Sequence, residues 1–430
     1  MFEVAVICLS VTAVLAYINH RWIGLPGTIG VMSIAMVISL AIVGMHQFGL
    51  REISVPAMSF LRAIDFSTVV MDGMLSMLLF AGALHVDIGQ LRNYKWPILG
   101  LAVIGTLLST VIVGFGTYYM LQAAGFTTSF WYCMLFGALI SPTDPVAVQG
   151  VLKQYKAPES LNVVIAGESL FNDGVSVVLF AILLGIAAKG SSPDVTEISS
   201  LVVHEVGGGL ALGLVLGGLL YYMLRSIDNY SVEVLITLAG VLGGYLLATK
   251  AHASGPLAMV VTGLLIGNHG RRTAMSDATR HHVDLFWELM DEILNAVLFV
   301  LLGLEIILLS LSWQLFGLSV AVIAITTFAR WLTVGWPINL TEKSMNLPAG
   351  SWKVLTWGGL RGGISVALAL SIPAGSARDV ILALTYGVVV FSMLGQGLTI
   401  GRVIEKSIGA TKADSGSKCN CGTGRRNGVR

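Results

Sequence analysis

The chain has 430 residues, of which 55% are hydrophobic and 11% charged, whereas a soluble domain carries roughly 25% charged residues. A soluble fold is excluded on that ratio. The net charge of +1 says little, because the positive charge is distributed by leaflet and forms no nucleic-acid surface, so the expected partner is the lipid bilayer and no nucleic acid.

A spanning helix needs about 20 mostly apolar residues. In chain order, thirteen stretches of that kind are predicted, at 3–18, 25–44, 68–86, 97–121, 131–152, 162–188, 201–224, 232–249, 255–268, 286–310, 315–336, 354–373 and 380–403. The ninth is short enough to be re-entrant. The apolar/polar alternation of a membrane barrel is absent, so the expected fold class is an all-α integral membrane protein. The first stretch lacks a basic flank and a small-residue cleavage site and reads as a retained helix. One membrane domain is expected over 1–405, followed by a basic tail at 406–430 that holds Cys419 and Cys421; with Cys8 and Cys133 inside spans, no disulfide framework follows.

The connecting loops are short, so their Lys/Arg asymmetry reports orientation. With the N-terminus outside, eighteen of the 25 cationic residues fall inside and five outside. Arg330 and Arg361 are the two left within spans. The expected placement is the cell membrane, crossed many times, with the N-terminus outside and the C-terminus cytoplasmic.

Thirteen spans permit two inverted six-helix repeats around a linker, with spans five and twelve as equivalent positions. These two are also the most interrupted. Span five contains Ser141-Pro142-Thr143-Asp144-Pro145, where two prolines remove backbone donors. Span twelve contains Gly358-Gly359-Leu360-Arg361-Gly362-Gly363, where each glycine lowers helix propensity by roughly 1 kcal/mol relative to alanine. Two broken helices are expected to cross at mid-membrane, where unwound backbone is tolerated only inside protein or along a wet cavity.

A charge at the bilayer centre costs about 2.5–3.5 kcal/mol on insertion scales, which makes an intramembrane ionisable residue a functional candidate. Span six reads Gly167-Glu168-Ser169-Leu170-Phe171-Asn172-Asp173-Gly174. Helical spacing puts Ser169 and Asp173 on one face and Glu168 with Asn172 on a second, rotated by one residue. Sodium is a hard cation that prefers oxygen ligands. Ser169, Asp173, the Asp144 carboxylate and the Thr143 carbonyl are therefore the expected cage. Burial disfavours the charged form of a carboxylate, so Asp173 is able to hold a proton in place of a cation. Competition at that one group, combined with alternating access, yields exchange of a monovalent cation for a proton.

Glu168 is expected to pair with Arg361 and so clamp span six to span twelve. Arg330 needs a partner of its own, in Asp87 or a broken-helix carbonyl. Glu288, Asp291 and Glu292 read either as an acidic mouth that gathers cations or as a solvated helix start favoured by the helix dipole. His281 and His282 read as a polar loop pair.

Ser141-Pro-Thr-Asp-Pro145, Gly167-Glu-Ser-Leu-Phe-Asn-Asp-Gly174 and Gly359-Leu-Arg-Gly-Gly363 resemble the sodium/proton exchangers of the bacterial NhaP and animal NHE type. That resemblance covers about residues 1–405. It implies a homodimer, a six-helix core moving against a dimerisation scaffold, and the thirteen-helix inverted-repeat fold. Carried over, Asp173 is the ion and proton carrier, Asp144, Ser169 and the Thr143 backbone are further ligands, and Glu168 with Arg361 is a stabilising pair. Asn172 stands where electrogenic relatives carry a second aspartate, which implies electroneutral one-for-one exchange serving pH homeostasis. Members resembling this chain often carry a glutamate in the third span, where this chain has Ala81 between Phe80 and Gly82; one cation ligand is then expected to be missing. No cofactor and no enzymatic activity are implied; sodium, with lithium or potassium as alternatives, and the proton are the transported species.

A potassium/proton antiporter is the nearest alternative. An intramembrane aspartyl protease is a remote one, because two aspartates on neighbouring spans could share a proton. The flanking residues, Asn172 before Asp173 and Thr143 and Pro145 around Asp144, do not resemble the protease motifs. A cation channel would need a repeated ring of carbonyls or acidic groups, which the sequence lacks.

Overall fold

The computed structural model describes residues 2–47, 66–189, 195–305 and 313–409, and every regular element among them is a helix. The tail from 410 onward, with Cys419 and Cys421, and the loop residues Arg51 and Arg62 lie outside the described residues. The architecture expected from composition is therefore the one observed. Among the described residues, eight helices are long and apolar enough to cross a membrane, including Gly27–Met45, Lys95–Ala123, Glu159–Ala188, Tyr230–Lys250 and Ser376–Ile408.

The helices that matter for the site are numbered here in chain order: α1 (Gly27–Gln47), α2 (Leu75–Leu84), α3 (Thr106–Ala123), α4 (Phe130–Ile140), α5 (Val146–Gln154), α6 (Glu159–Lys189), α7 (Asp277–Glu305), α8 (Trp313–Arg330), α9 (Ser351–Trp357), α10 (Gly363–Leu370) and α11 (Ser376–Val390). At 1.5 Å per residue, α6 is roughly 46 Å long and overspans a hydrocarbon core of about 30 Å. By contrast α4, α5, α9 and α10 are each too short to cross alone. They work as two interrupted pairs, α4 with α5 and α9 with α10.

Both interruptions fall where proline and glycine place them, at 141–145 and 358–362. Each exposes the carbonyls of one half-helix and the amides of the next, groups that need partners inside a membrane. The two breaks supply them to each other. Asp144 N donates to the Leu360 carbonyl at 2.7 Å, so the unwound segments touch through their main chains.

The breaks are held inside a bundle in which α4 packs on α3 and α6, α10 packs on α4 and α11, and α1 lies along α7. One apolar cluster joins Ile29, Phe299, Val366 and Met393. A second joins Phe136, Leu139, Phe180 and Leu384. Outward faces remain apolar, with Leu214, Val215, Leu235 and Leu340 all more than half exposed. Trp22, Trp96, Tyr222 and Trp313 stand exposed near helix ends, the level where amphipathic rings meet a membrane–water boundary. This surface suits hydrocarbon, as the composition requires.

The acidic helix α7 begins at Asp277, well before the start at 286 expected from hydropathy. Glu288, Asp291 and Glu292 are thus more than two turns inside it. A reading of these three as a dipole-favoured helix start does not survive that boundary.

Candidate functional site

The site forms where α6 passes the crossing of the two breaks. Asp173 is 7% exposed and its Oδ1 has no hydrogen-bond partner among the described residues. Buried carboxylate oxygens are nearly always bonded, so an orphan oxygen on the wall of a cavity is a candidate ligand for an ion. Asp173 lines a cavity of 560 Å³ together with Thr143, Asp144, Asn162, Asp291 and Asn295. Lys153, Glu159 and Glu288 also border it and are exposed, so the cavity opens on the face that carries the end of α5 and the start of α6.

Asp144 is half-buried, and its two oxygens differ. Oδ1 accepts from Val146 N at 2.9 Å and satisfies an orphan amide of α5. Oδ2 faces Gly362, where a Cβ would stand 2.5 Å away. Only glycine lets the second break come this close to the carboxylate. Gly362→Ala is expected to destabilise the protein by about 1–3 kcal/mol through overpacking, read as a lowered melting temperature in detergent.

Thr143 and Asn172 lock the first break to α6. Asn172 Nδ2 donates to Thr143 Oγ1 at 2.9 Å and to Glu168 Oε1 at 2.8 Å, while Thr143 N donates to Asn172 Oδ1 at 3.4 Å. The Ser169 and Thr143 hydroxyls are bonded to each other at 2.9 Å. Glu168 and Asn172 build structure and Asp173 is left toward the cavity, whereas Ser169, expected on the face of Asp173, is buried and joined through Thr143 to the Asn172 network.

The expected Glu168–Arg361 pair is corrected. Glu168 is gripped by Arg330, with Nη1 to Oε1 at 2.7 Å and Nη2 to Oε2 at 2.9 Å. The Arg330 Nε and Nη2 also reach the Leu355 carbonyl, at 3.4 and 3.3 Å, so the broken-helix carbonyl expected for Arg330 is present and Asp87 is not its partner. Asp87 instead accepts from Gly89 N at 2.7 Å at the start of a short surface helix and lies 3.8 Å from Arg272. Arg361 donates to the carbonyls of Ser141 and Pro142. The physical reason is geometric: the C-terminal end of half-helix α4 leaves carbonyls without partners, and a cation there is favoured by both hydrogen bonding and the helix dipole. Arg361, anchored through its own N to Ser392 Oγ at 2.8 Å, is placed to serve them. Gly359 opens the way for Arg330, because a Cβ there would be 2.6 Å from its Nε.

Several contributors escape sequence reasoning. Asn162 and Asn295 line the cavity, but a polar amide on an apolar helix carries no directional signal. Arg330 was visible as an intramembrane cation, yet nothing in its local sequence points to Glu168, 162 positions away. Ala81 is buried in α2 and also lines the cavity, so the wall is apolar at the position where a third-span carboxylate would stand. His281 and His282 are exposed, and His282 stacks on Tyr230 with ring centroids 4.5 Å apart.

Chemically, the arrangement is a cavity bordered by two carboxylates, Asp144 and Asp173, beside a network in which Glu168 is paired with Arg330 and Arg361 serves backbone carbonyls. It can hold a small cation or a proton.

A family model described as sodium/hydrogen exchanger, transmembrane, matches residues 10–406. The Na(+)/H(+) antiporter NhaP of Pseudomonas aeruginosa is 51% identical over 410 residues, covering 94% of this chain and 97% of that protein. The Na(+)/H(+) antiporter NhaH of Halobacillus dabanensis is 36% identical over 352 residues, covering 79% and 83%. Among solved structures, the sodium proton antiporter MjNhaP1 from Methanocaldococcus jannaschii at pH 8 superposes with a TM-score of 0.71 at 19% identity, over 94% of this chain and 97% of that one; at that identity the likeness speaks for the fold.

Proposed function

The chain belongs to the sodium/hydrogen exchanger family, and from that footing we propose that it is a secondary antiporter exchanging sodium for protons, one for one, at Asp173. The observation that carries this reading is the orphan carboxylate oxygen of Asp173 at the inner end of an acidic cavity, beside Asp144 and the crossing of two broken helices. The Thr143 backbone and the Ser169 hydroxyl complete the oxygen set. Ser169 must turn from Thr143 toward the ion to join it.

Physically, the exchange needs only that proton and cation exclude one another. A protonated Asp173 has no charge to hold sodium, and a sodium-loaded Asp173 repels a second positive charge. Only the singly loaded carrier then crosses between its two open forms. Asn172, whose amide is committed to Glu168 and Thr143, has no proton to trade, and this supports an electroneutral cycle. The acidic wall of Glu288, Asp291 and Glu292 raises the local cation concentration ahead of the site.

The chain is proposed to act as a homodimer in the cell membrane with its C-terminus cytoplasmic, so that the cavity opens to the cytoplasm. Thirteen spans in two inverted repeats, with the breaks of 141–145 and 358–362 as equivalents, belong to the same reading, with the membrane domain ending near 405 and the basic tail following. It is supported by the Lys/Arg distribution and by the way the two breaks serve one another.

The test is proton flux in proteoliposomes carrying a pH dye after a sodium pulse, with and without a potential clamp. Equal flux under both conditions is expected. Flux that follows the clamp would overturn one-for-one exchange, and no flux for any cation would overturn the reading as a whole. Competition at a single carboxylate adds a second expectation. Where Asp173 is protonated, sodium must displace one proton, so the apparent KM for sodium should rise about tenfold for each unit the pH falls and level off as the pH rises. A KM independent of pH would place cation and proton on separate groups.

A further inference from the structure

Only one arm of the Arg361 guanidinium is bonded. The residue is 4% exposed, and its Nη1 serves the carbonyls of Ser141 and Pro142, but its Nε and Nη2 donate to nothing among the described residues. A guanidinium carries five N–H donors and keeps its charge inside a protein. A buried charged donor without an acceptor is among the most unfavourable of unmade bonds. Arg330, the other arginine of this network, differs: all three of its nitrogens are bonded, to Glu168 and to the Leu355 carbonyl.

Arg361 borders a second cavity, of 10 Å³, which shares no lining residue with the one that reaches Asp173. Its polar walls include Glu168, Thr106 and Ser109 at the start of α3, and Thr333 just past α8. A volume of about 10–15 Å³ is the smallest that houses one water molecule, which then needs two to four polar partners. Those partners are present. Glu168 Oε2 accepts only from Arg330 Nη2 among the described residues, so it has capacity left. Thr106 is 4% exposed and its hydroxyl has no partner among the described residues. Ser109 Oγ accepts from Ser141 Oγ at 3.2 Å and keeps its own proton to give.

We propose that this cavity binds a single water molecule, which takes the free edge of Arg361 and passes the contact on to Glu168, with Thr106 and Ser109 completing its shell. The pair expected from the sequence, Glu168 with Arg361, is then made at one remove. The water also ties the start of α3 to α6 and to the second break, so the polar centre of the bundle closes with no donor of Arg361 left open. An anion is the other occupant that a guanidinium edge invites, but a halide is larger than water and would face the Glu168 carboxylate. The site is independent of which ion Asp173 carries.

A dry cavity and a wet one respond to filling with opposite signs. Gly105 lines the cavity, and a Cβ there would meet nothing nearer than the Thr333 carbonyl at 3.8 Å, so Gly105→Ala adds a methyl group without a clash. Alanine is also the better helix former. Gly218→Ala, at an exposed helical position with nothing within 4 Å, calibrates that gain. Displacing the water strands Arg361, so Gly105→Ala should lower the melting temperature of the full chain in detergent by about 2 °C or more, while Gly218→Ala holds or raises it. Thr106→Val, which removes one partner of the water at nearly constant shape, should lower it as well. Filling an empty cavity, or removing an unbonded buried hydroxyl, would instead raise it; a rise or no change in either variant overturns the proposal. Should one variant fail to fold, the other decides by its sign. Replacing chloride with gluconate should leave the wild-type value unchanged, and a fall would assign the site to a halide and overturn water as its occupant. The direct reading is a cryo-EM map that resolves ordered water, where a peak about 2.7–3.2 Å from Arg361 and from Glu168 is expected and none would overturn the site.

Discussion

Replacing Asp173 with asparagine is expected to reduce sodium-driven proton flux to the level of empty liposomes while leaving the protein folded and inserted. The amide is nearly isosteric with the carboxylate, so packing is retained, but it can neither take up a proton at working pH nor neutralise a cation. Stability should hold or rise. A buried charge without a hydrogen-bonding partner is unfavourable, and Asp173 Oδ1 is one such atom, so removing its charge relieves the fold as it disables the site. The measurement is a paired one, flux in proteoliposomes against melting temperature in detergent. Persistent sodium-dependent proton movement in a well-folded Asp173→Asn protein would sink the assignment of Asp173 as carrier.

The second large effect concerns the buried ion pair. Arg330→Ala should destabilise the protein by about 3–5 kcal/mol, because the loss leaves Glu168 as an uncompensated charge with both of its guanidinium bonds gone. Glu168→Gln strands Arg330 in the same manner. In the double variant neither charge remains, so the combined loss should fall well short of the sum. A cycle pairing Glu168→Gln with Arg361→Ala should come much nearer to additivity, since Arg361 acts on Glu168 only through space while its hydrogen bonds go to Ser141 and Pro142. Strict additivity for Glu168 and Arg330, or a larger coupling for Glu168 and Arg361, would contradict the geometry.

What could be read from the sequence divides along a physical line. Apolar length showed that the chain is helical and membrane-spanning, because hydrocarbon thickness sets the length a span must reach, and proline and glycine located both breaks, with Gly363 already in the first turn of α10. Helical spacing set Glu168 beside Asn172 and turned Asp173 away from them, but it could not show that Ser169 would be taken up by Thr143 from the first break. Long-range pairing was a different matter. Glu168 had two intramembrane arginines to choose from, and the one on a broken helix was the more natural guess. Resolving the choice requires knowing that the first break leaves carbonyls at Ser141 and Pro142 facing Arg361, a property of how two helices cross and not of either sequence. The same applies to the cavity. Asp291 looked like a residue near a helix start, and its place on the wall beside Asp144 follows from a boundary at Asp277 that hydropathy misses, because the first turns of α7 are polar.

One contact of the site is made without side chains. The bond from Asp144 N to the Leu360 carbonyl belongs to the main chain, so any residue at position 360 supplies the acceptor and, at position 144, any residue except proline supplies the donor. Mutational drift can therefore rewrite the proposed ligands one by one while the main-chain bond that brings the two halves together is kept. Selectivity in such a protein can be retuned without first reinventing the crossing on which it depends.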